Sequence, residues 1–189
     1  VAQVNDLLGR FKTANDEVVR GVARGGAVGD ALDRRDGALT ELSAKLGVHT
    51  LTRANGDMAI FTETGATLFD RTAREVRFSP TATFDATTRG AAVFIDGAPL
   101  GGSGTSGEIA GLLKLRDDLA TAQQAQLDET ARGLMQAFVE RDPAGALADA
   151  AGLFTAQGVG APPAPGAAAG LAGVIVVAAS VDREQGGDA

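Results

Sequence analysis

The sequence predicts an α+β protein: an elongated, antiparallel, coiled-coil-like bundle of long helices with a small antiparallel β domain inserted between them. Three observations carry that expectation. From Gly107 to Glu140 there is no proline, and apolar residues recur at heptad spacing. At Val48 the apolar period switches from three-four to two. Asn55-Gly56 then separates two alternating runs, the strongest short-range signal for a hairpin. The implied division is a helical domain over 1–47 and 107–142, a β domain over 48–106, and a loop-rich segment over 143–189. That last segment, with one or two strands, is expected to pack on the β domain.

The 107–140 stretch is built from Ala, Leu, Gln, Glu, Lys, Arg and Met, residues that lose least on entering a helix. As one helix it would run roughly 50 Å. Leu113, Ala120, Leu127 and Leu134 repeat every seventh residue, flanked by Ile109, Ala131 and Phe138. Leu112, Leu115, Leu119 and Ala122 widen the apolar surface in its first half.

Upstream, Val1, Val4, Leu8, Phe11, Val18 and Val22 mark a helix from Val1 to about Arg24. Asn15 falls where the next apolar residue is due. It either pairs with a polar group across the seam and sets register, or sits at a solvated margin, which the sequence favours. Gly25-Gly26 breaks this helix and Gly29-Asp30 opens a second one, with Leu32, Leu39, Leu42 and Leu46 as its stripe and Gly47 as its C-cap. The Asp33-Arg34-Arg35-Asp36 cluster reads as a solvated face laced by local ion pairs.

Val48 to Arg53 and Asp57 to Thr62 alternate as a hairpin, followed by short strands at Thr67–Phe69, Glu75–Phe78, Thr83–Phe84 and Ala91–Ile95, the last ending in an Asp96-Gly97 turn. Pro80 and Pro99 keep these strands short and edge-like. After Pro143 an Ala-rich helix is expected to about Ala151, then a proline-rich loop, a buried strand over Leu171–Val181, and a frayed acidic end from Asp182. Leu171–Val181 is about half the length a membrane-spanning helix needs.

Composition narrows the function. A net charge of −7 argues against unassisted binding to nucleic acid or an anionic membrane, both of which need a basic face. No cysteine is present, so disulfides, thiolate metal sites and cysteine nucleophiles are excluded. The chain begins at Val1 inside an apolar pattern, with no initiator Met and no signal-peptide layout. An excised or processed fragment is therefore expected.

The candidate chemical motifs each read as structural. Gly101 to Gly107 precedes a helix, as phosphate-cradling loops do, but it lacks the Lys-Ser/Thr ending of a P-loop and no apolar parallel strand feeds it. His49, the single histidine, has no nucleophile elbow to serve. Asp117-Asp118 and Asp128-Glu129 are expected on a helix exterior, where neighbouring residues point apart. No catalytic residue, cofactor or metal is expected, and the chain reads as a non-enzyme.

Several stretches in order resemble the flagellar hook-associated protein 1 family, the FlgK type found at the hook–filament junction. Asp30 through Val48 is similar to that family's helix end running into a Gly-Val, with Leu32-Asp33, Arg35-Asp36, Glu41-Leu42-Ser43 and Gly47-Val48 at the matching places. So are the hairpin after it, Thr72-Ala73-Arg74, and Gly107 through Leu113 with Arg116-Asp117 behind it. Leu127-Asp128, Ala131 and Ala137-Phe138 resemble the end of the family's long helix. The resemblance covers 1–142 and, more loosely, Gly152 onward. It implies a structural protein exported through the flagellar type III apparatus, extracellular, and assembled as a ring between hook and filament. Implied partners are hook protein, the other hook–filament junction protein, neighbouring copies of itself and an export chaperone. It further implies that this fragment lacks both polymerising terminal regions and is itself monomeric. The competing reading is an adhesin-like binding module, a β head at Val48–Leu100 on a helical stalk.

Overall fold

A computed structural model describes residues 1–81, 90–100, 105–145, 150, 152–156, 162–182 and 184. The expected strand at Thr83–Phe84, the start of the glycine-rich loop at 101–104, the expected helix over 146–149 and 151, and most of the acidic end lie outside the described residues. Two compact units divide at Leu115/Arg116. The first holds the described residues of Val1–Ala82 and Gly90–Leu115, the second those from Arg116 onward.

In the first unit, α1 (Ala2–Arg24) buries Val4, Leu7, Leu8, Phe11, Ala14, Asn15 and Val18, a three-four spacing that gives one continuous inner face. Gly25 ends it in the left-handed region at φ 64°. There its N–H reaches Val22 O at 3.1 Å and that of Gly26 reaches Gly21 O at 3.0 Å, closing the carbonyls a helix end leaves open. The chain reverses into α2 (Gly29–Lys45). Arg10 pairs with Glu41 and Arg34 with Glu17, so the two helices run antiparallel. These pairs are exposed and contribute little.

The inner face of α2 differs from the expected leucine stripe. Ala31, Arg35, Ala38 and Leu42 are buried, while Leu32 and Leu39 are only half-buried. Two of those buried residues are alanines, which let the helices approach closely. Gly47 is also not a left-handed cap: the helix ends at an extended Leu46. A Cβ at Gly47 would press on the side-chain ends of Glu63 and Ser106, so any larger residue there would have to displace that bonded pair.

The hairpin forms as expected, β1 (Val48–Thr52) against β2 (Met58–Thr62) with Thr52 opposite Met58. Gly56 donates to Arg53 O at 2.9 Å and takes φ 82°, a three-residue loop that needs a left-handed residue at its end. β3 (Thr67–Asp70) and β4 (Thr72–Ala73) complete a four-stranded antiparallel sheet in sequence order. β5 (Val76–Phe78), β6 (Val93–Ile95) and β7 (Ala98–Leu100) form a second antiparallel sheet, with β6 and β7 joined by the expected Asp96-Gly97 turn, both residues at positive φ.

One core serves helices and sheets together. Phe11 and Leu8 of α1, Leu42 of α2, Ile60 and Phe69 of the first sheet and Ile95 of the second belong to a single buried cluster. Phe11 and Phe69 meet edge to face at 5.1 Å, a favoured geometry for aromatic pairs.

The stretch expected as one uninterrupted helix is instead α3 (Glu108–Lys114), a π-turn (Leu115–Leu119) and α4 (Ala120–Ala137). The Thr121 hydroxyl donates to Asp117 O at 2.7 Å and lies 3.0 Å from Asp118 O, which offsets carbonyls that a π-turn leaves poorly paired. In the second unit the buried face of α4 is Asp128, Ala131 and Met135, whereas Leu127 is 57% exposed and Leu134 39%.

The expected strand over Leu171–Val181 is divided too. Leu171–Gly173 is a 3₁₀ turn, and only β9 (Ile175–Val177) pairs, antiparallel to β8 (Phe154–Ala156). Leu171 and Ala178 are buried, but Val174, Val176 and Val177 are exposed. A small core of Ala131, Met135, Ala156, Ala168 and Leu171 joins α4 to this segment. Among the described residues no helix is long and apolar enough to cross a membrane.

Truncating Phe11 to Ala removes the ring shared by α1 and the first sheet. A loss of about 3–5 kcal/mol is expected, read as a lower denaturant midpoint for the first unit, with helical and sheet signals lost together.

Candidate functional site

Asn15 is where the structure departs most usefully from expectation. It is not at a solvated margin but 1% exposed. It lies on the inner face of α1, against the start of β2. Its Nδ2 donates to Asp57 Oδ1 at 2.7 Å, and its Oδ1 accepts the Met58 N–H at 3.0 Å. The partner across the seam is therefore the β-hairpin, not another helix.

Asp57, also buried, is gripped from its other side by Arg53 Nη1 at 2.5 Å, and Arg53 Nη2 reaches Asp70 at 2.8 Å. The hairpin tip brings these together because Arg53 and Asp57 face each other across its loop, with the Arg53 N–H donating to Asp57 O at 2.7 Å. Burial pushes the Asp57 carboxyl up, but the bonds from Asn15 and Arg53 outweigh it and hold it below the usual aspartate range.

Arg35 completes the fastening from α2. The DRRD cluster is not uniformly solvated: Asp33, Arg34 and Asp36 are exposed, but Arg35 is buried and its Nη1 donates to Gly56 O at 2.9 Å. Its Nε lies 3.6 Å from Asp36. The physical reason is position: Arg35 sits four residues after Ala31 and three before Ala38, on the face that meets α1 and the tip.

At the other end of α1, Asn5 docks the second sheet in the same way. Its Nδ2 donates to Val76 O at 2.8 Å and its Oδ1 accepts the Val76 N–H at 2.9 Å. A side-chain amide thus stands in for a neighbouring strand.

Asp128 does not lie on a helix exterior. It is 2% exposed, and its carboxylate accepts N–H groups of Gly170 at 2.7 Å and Ala172 at 2.9 Å, with Gln124 Nε2 at 2.9 Å. It caps the 3₁₀ turn from the neighbouring helix. Burial pushes its pKa up, yet the two backbone donors and Gln124 more than offset this and leave it lowered.

The remaining candidate motifs do not converge. His49 is exposed on β1 opposite Phe61. Asp117 pairs with Arg116, and Asp118 is exposed. Ser106 bonds Glu63 through both its N–H at 2.7 Å and its hydroxyl at 2.8 Å. Glu108 pairs with Lys45, so the loop before α3 is pinned to protein groups. Among the described residues no three His, Cys, Asp or Glu side chains gather as a metal ion would need.

Sequence reasoning missed Asp57, Arg35 and Asp128 as fastening groups. A signal existed for Asp128, which lies three residues before Ala131 and seven before Met135. For Arg35 the spacing from Ala31 and Ala38 was the equivalent clue.

Such an arrangement, buried polar groups spent on tying helix to sheet and helix to turn, defines a structural α+β module. The family model of the flagellar hook-associated protein FlgK helical domain matches residues 1–153. The chain belongs to this FlgK family of flagellar hook-associated proteins. Among solved structures, it is similar to the flagellar hook junction protein FlgK from Burkholderia pseudomallei, at 18% identity and a TM-score of 0.45, over 82% of this chain and 31% of that one. The chain thus covers under a third of that protein's length. No curated protein matches it in sequence.

Replacing Asn15 with Leu leaves the Met58 N–H and one Asp57 oxygen buried without their partner, at about 1–3 kcal/mol for each. Equilibrium denaturation should show that loss, with amide exchange fastest at the hairpin tip. Asp57 and Asp128 have lowered native pKa values, so their contribution is complete above the ordinary aspartate value and disappears as pH falls through the native ones. Stability should therefore drop on acidification below about pH 4, less steeply in Asp128→Asn, as followed by thermal melts across pH.

Proposed function

We propose that the chain is a non-catalytic structural module of the hook–filament junction. The observation that carries this reading is the family match over residues 1–153. The shared core of helix hairpin and sheets supports it, because a junction subunit needs layers that do not shear apart under load.

In this reading the parent protein leaves the cell through the flagellar type III apparatus, acts outside it, and contacts hook protein, the other junction protein and neighbouring copies of itself, with a chaperone before export. Nucleic acid and membrane are not partners. The absence of cysteine suits a chain that crosses an envelope unfolded. In this reading the chain's helices form part of an elongated bundle, and the exposed Leu127 and Leu134 on α4 support that, as apolar positions that further helices would cover. Alone, the 189-residue chain is monomeric.

The test is complementation. In a strain lacking its hook–filament junction protein, the full-length parent should restore attached filaments and motility. If the parent is exported in normal amounts and flagellin is still shed into the medium, the reading is wrong.

A further inference from the structure

Where α1, the β1–β2 tip and the β3–β4 turn meet, there is a cleft of about 270 Å³ lined by Asp16, Val19, Arg20, Asn55, Asp57 and Arg71. Its hydrogen-bonding capacity is lopsided. Most acceptors are answered from within: one oxygen of Asp16 by Lys12 Nζ at 2.5 Å, Asp57 by Asn15 and Arg53, and Asn55 Oδ1 by the Asp57 N–H at 3.1 Å. The donors are not. Among the described residues nothing partners the guanidinium groups of Arg20 and Arg71 or the Asn55 Nδ2.

Both arginines are exposed, as is Arg24, which among the described residues also faces no carboxylate; what sets Arg20 and Arg71 apart is that they line one cleft. Arg10, Arg34, Arg53, Arg74 and Arg77 each face a carboxylate. The cleft is also held in shape. Asp57 on its wall is held by Asn15 behind it, and Arg71 sits at φ 60°, a costly conformation for a residue with a side chain. On either side of Arg71, Asp70 is tied to Arg53 and the Arg74 N–H to Leu68 O at 2.8 Å.

We propose that this cleft binds a carboxylate-bearing side chain from an acidic segment of a partner protein. The carboxylate would take bonds from Arg20, Arg71 and Asn55 Nδ2, and its methylenes would pass over half-buried Val19. Charge-assisted guanidinium–carboxylate bonds are among the stronger polar contacts available. Because the chain carries a net charge of −7, it repels an acidic partner elsewhere, so these two cations also fix where that partner docks.

The inference does not depend on the flagellar reading, since the probe reports on the cleft whatever the parent assembles into. Titrating the isotopically labelled 189-residue chain with a short oligoglutamate peptide at low salt should give saturable shifts at the Arg20 and Arg71 guanidinium groups and the Asn55 amide. Arg20→Gln combined with Arg71→Gly, a residue suited to positive φ, should weaken binding at least about tenfold. Arg24→Gln should leave it unchanged. Unaltered Met58 N–H and Asn15 Nδ2 signals confirm that the support behind Asp57 is intact, and Arg20→Gln alone carries the comparison if they move. Equal binding by the variants overturns the proposal. So do unsaturable shifts spread over the basic residues, or inorganic phosphate filling the cleft where oligoglutamate does not.

Discussion

The bond set around the Asn15 amide is the constraint that orders the first unit. A helix and a sheet packed by apolar contact alone can slide, since aliphatic surfaces have no directional preference. Asn15 removes that freedom: one donor and one acceptor on the same amide must meet Asp57 and the Met58 N–H at once. Asn5 repeats the device on Val76. Ten residues separate the two asparagines, roughly 15 Å along the helix, so α1 holds both sheets at two fixed points. Phe11, between them, supplies the apolar bulk.

The energetics of such groups are asymmetric. Forming a buried polar contact yields little net stability, whereas stranding one partner is expensive. Arg35 and Asp57 therefore enforce a single register of hairpin against helices more than they deepen the energy minimum. Asp128 does the same for the second unit, where the apolar core is thin and rich in alanine. There a carboxylate that accepts two backbone N–H groups fixes a turn that the side chains of Ala168 and Ala172 are too small to hold.

Local patterns were legible in the sequence where backbone chemistry decides structure. The ends of α1, the Asn55-Gly56 hairpin and the Asp96-Gly97 turn all follow from glycine, asparagine and alternation. What stayed hidden depends on distant partners. A heptad from Leu113 to Leu134 looks continuous, but the π-turn at Leu115–Leu119 interrupts it and nothing in LRDDL announces that. Arg35 and Asp128 read as surface charges because their composition is that of a surface. Only the residues three and four positions away point inward. Asn15 had both readings available, and the deciding group, the start of β2, is more than forty residues downstream.

β7 ends the second sheet, and its middle residue is Pro99, opposite Phe94. Proline has no amide hydrogen to offer an incoming strand, and an open sheet margin is otherwise a template for accretion between molecules. With proline there, copies can crowd together without stacking into fibres.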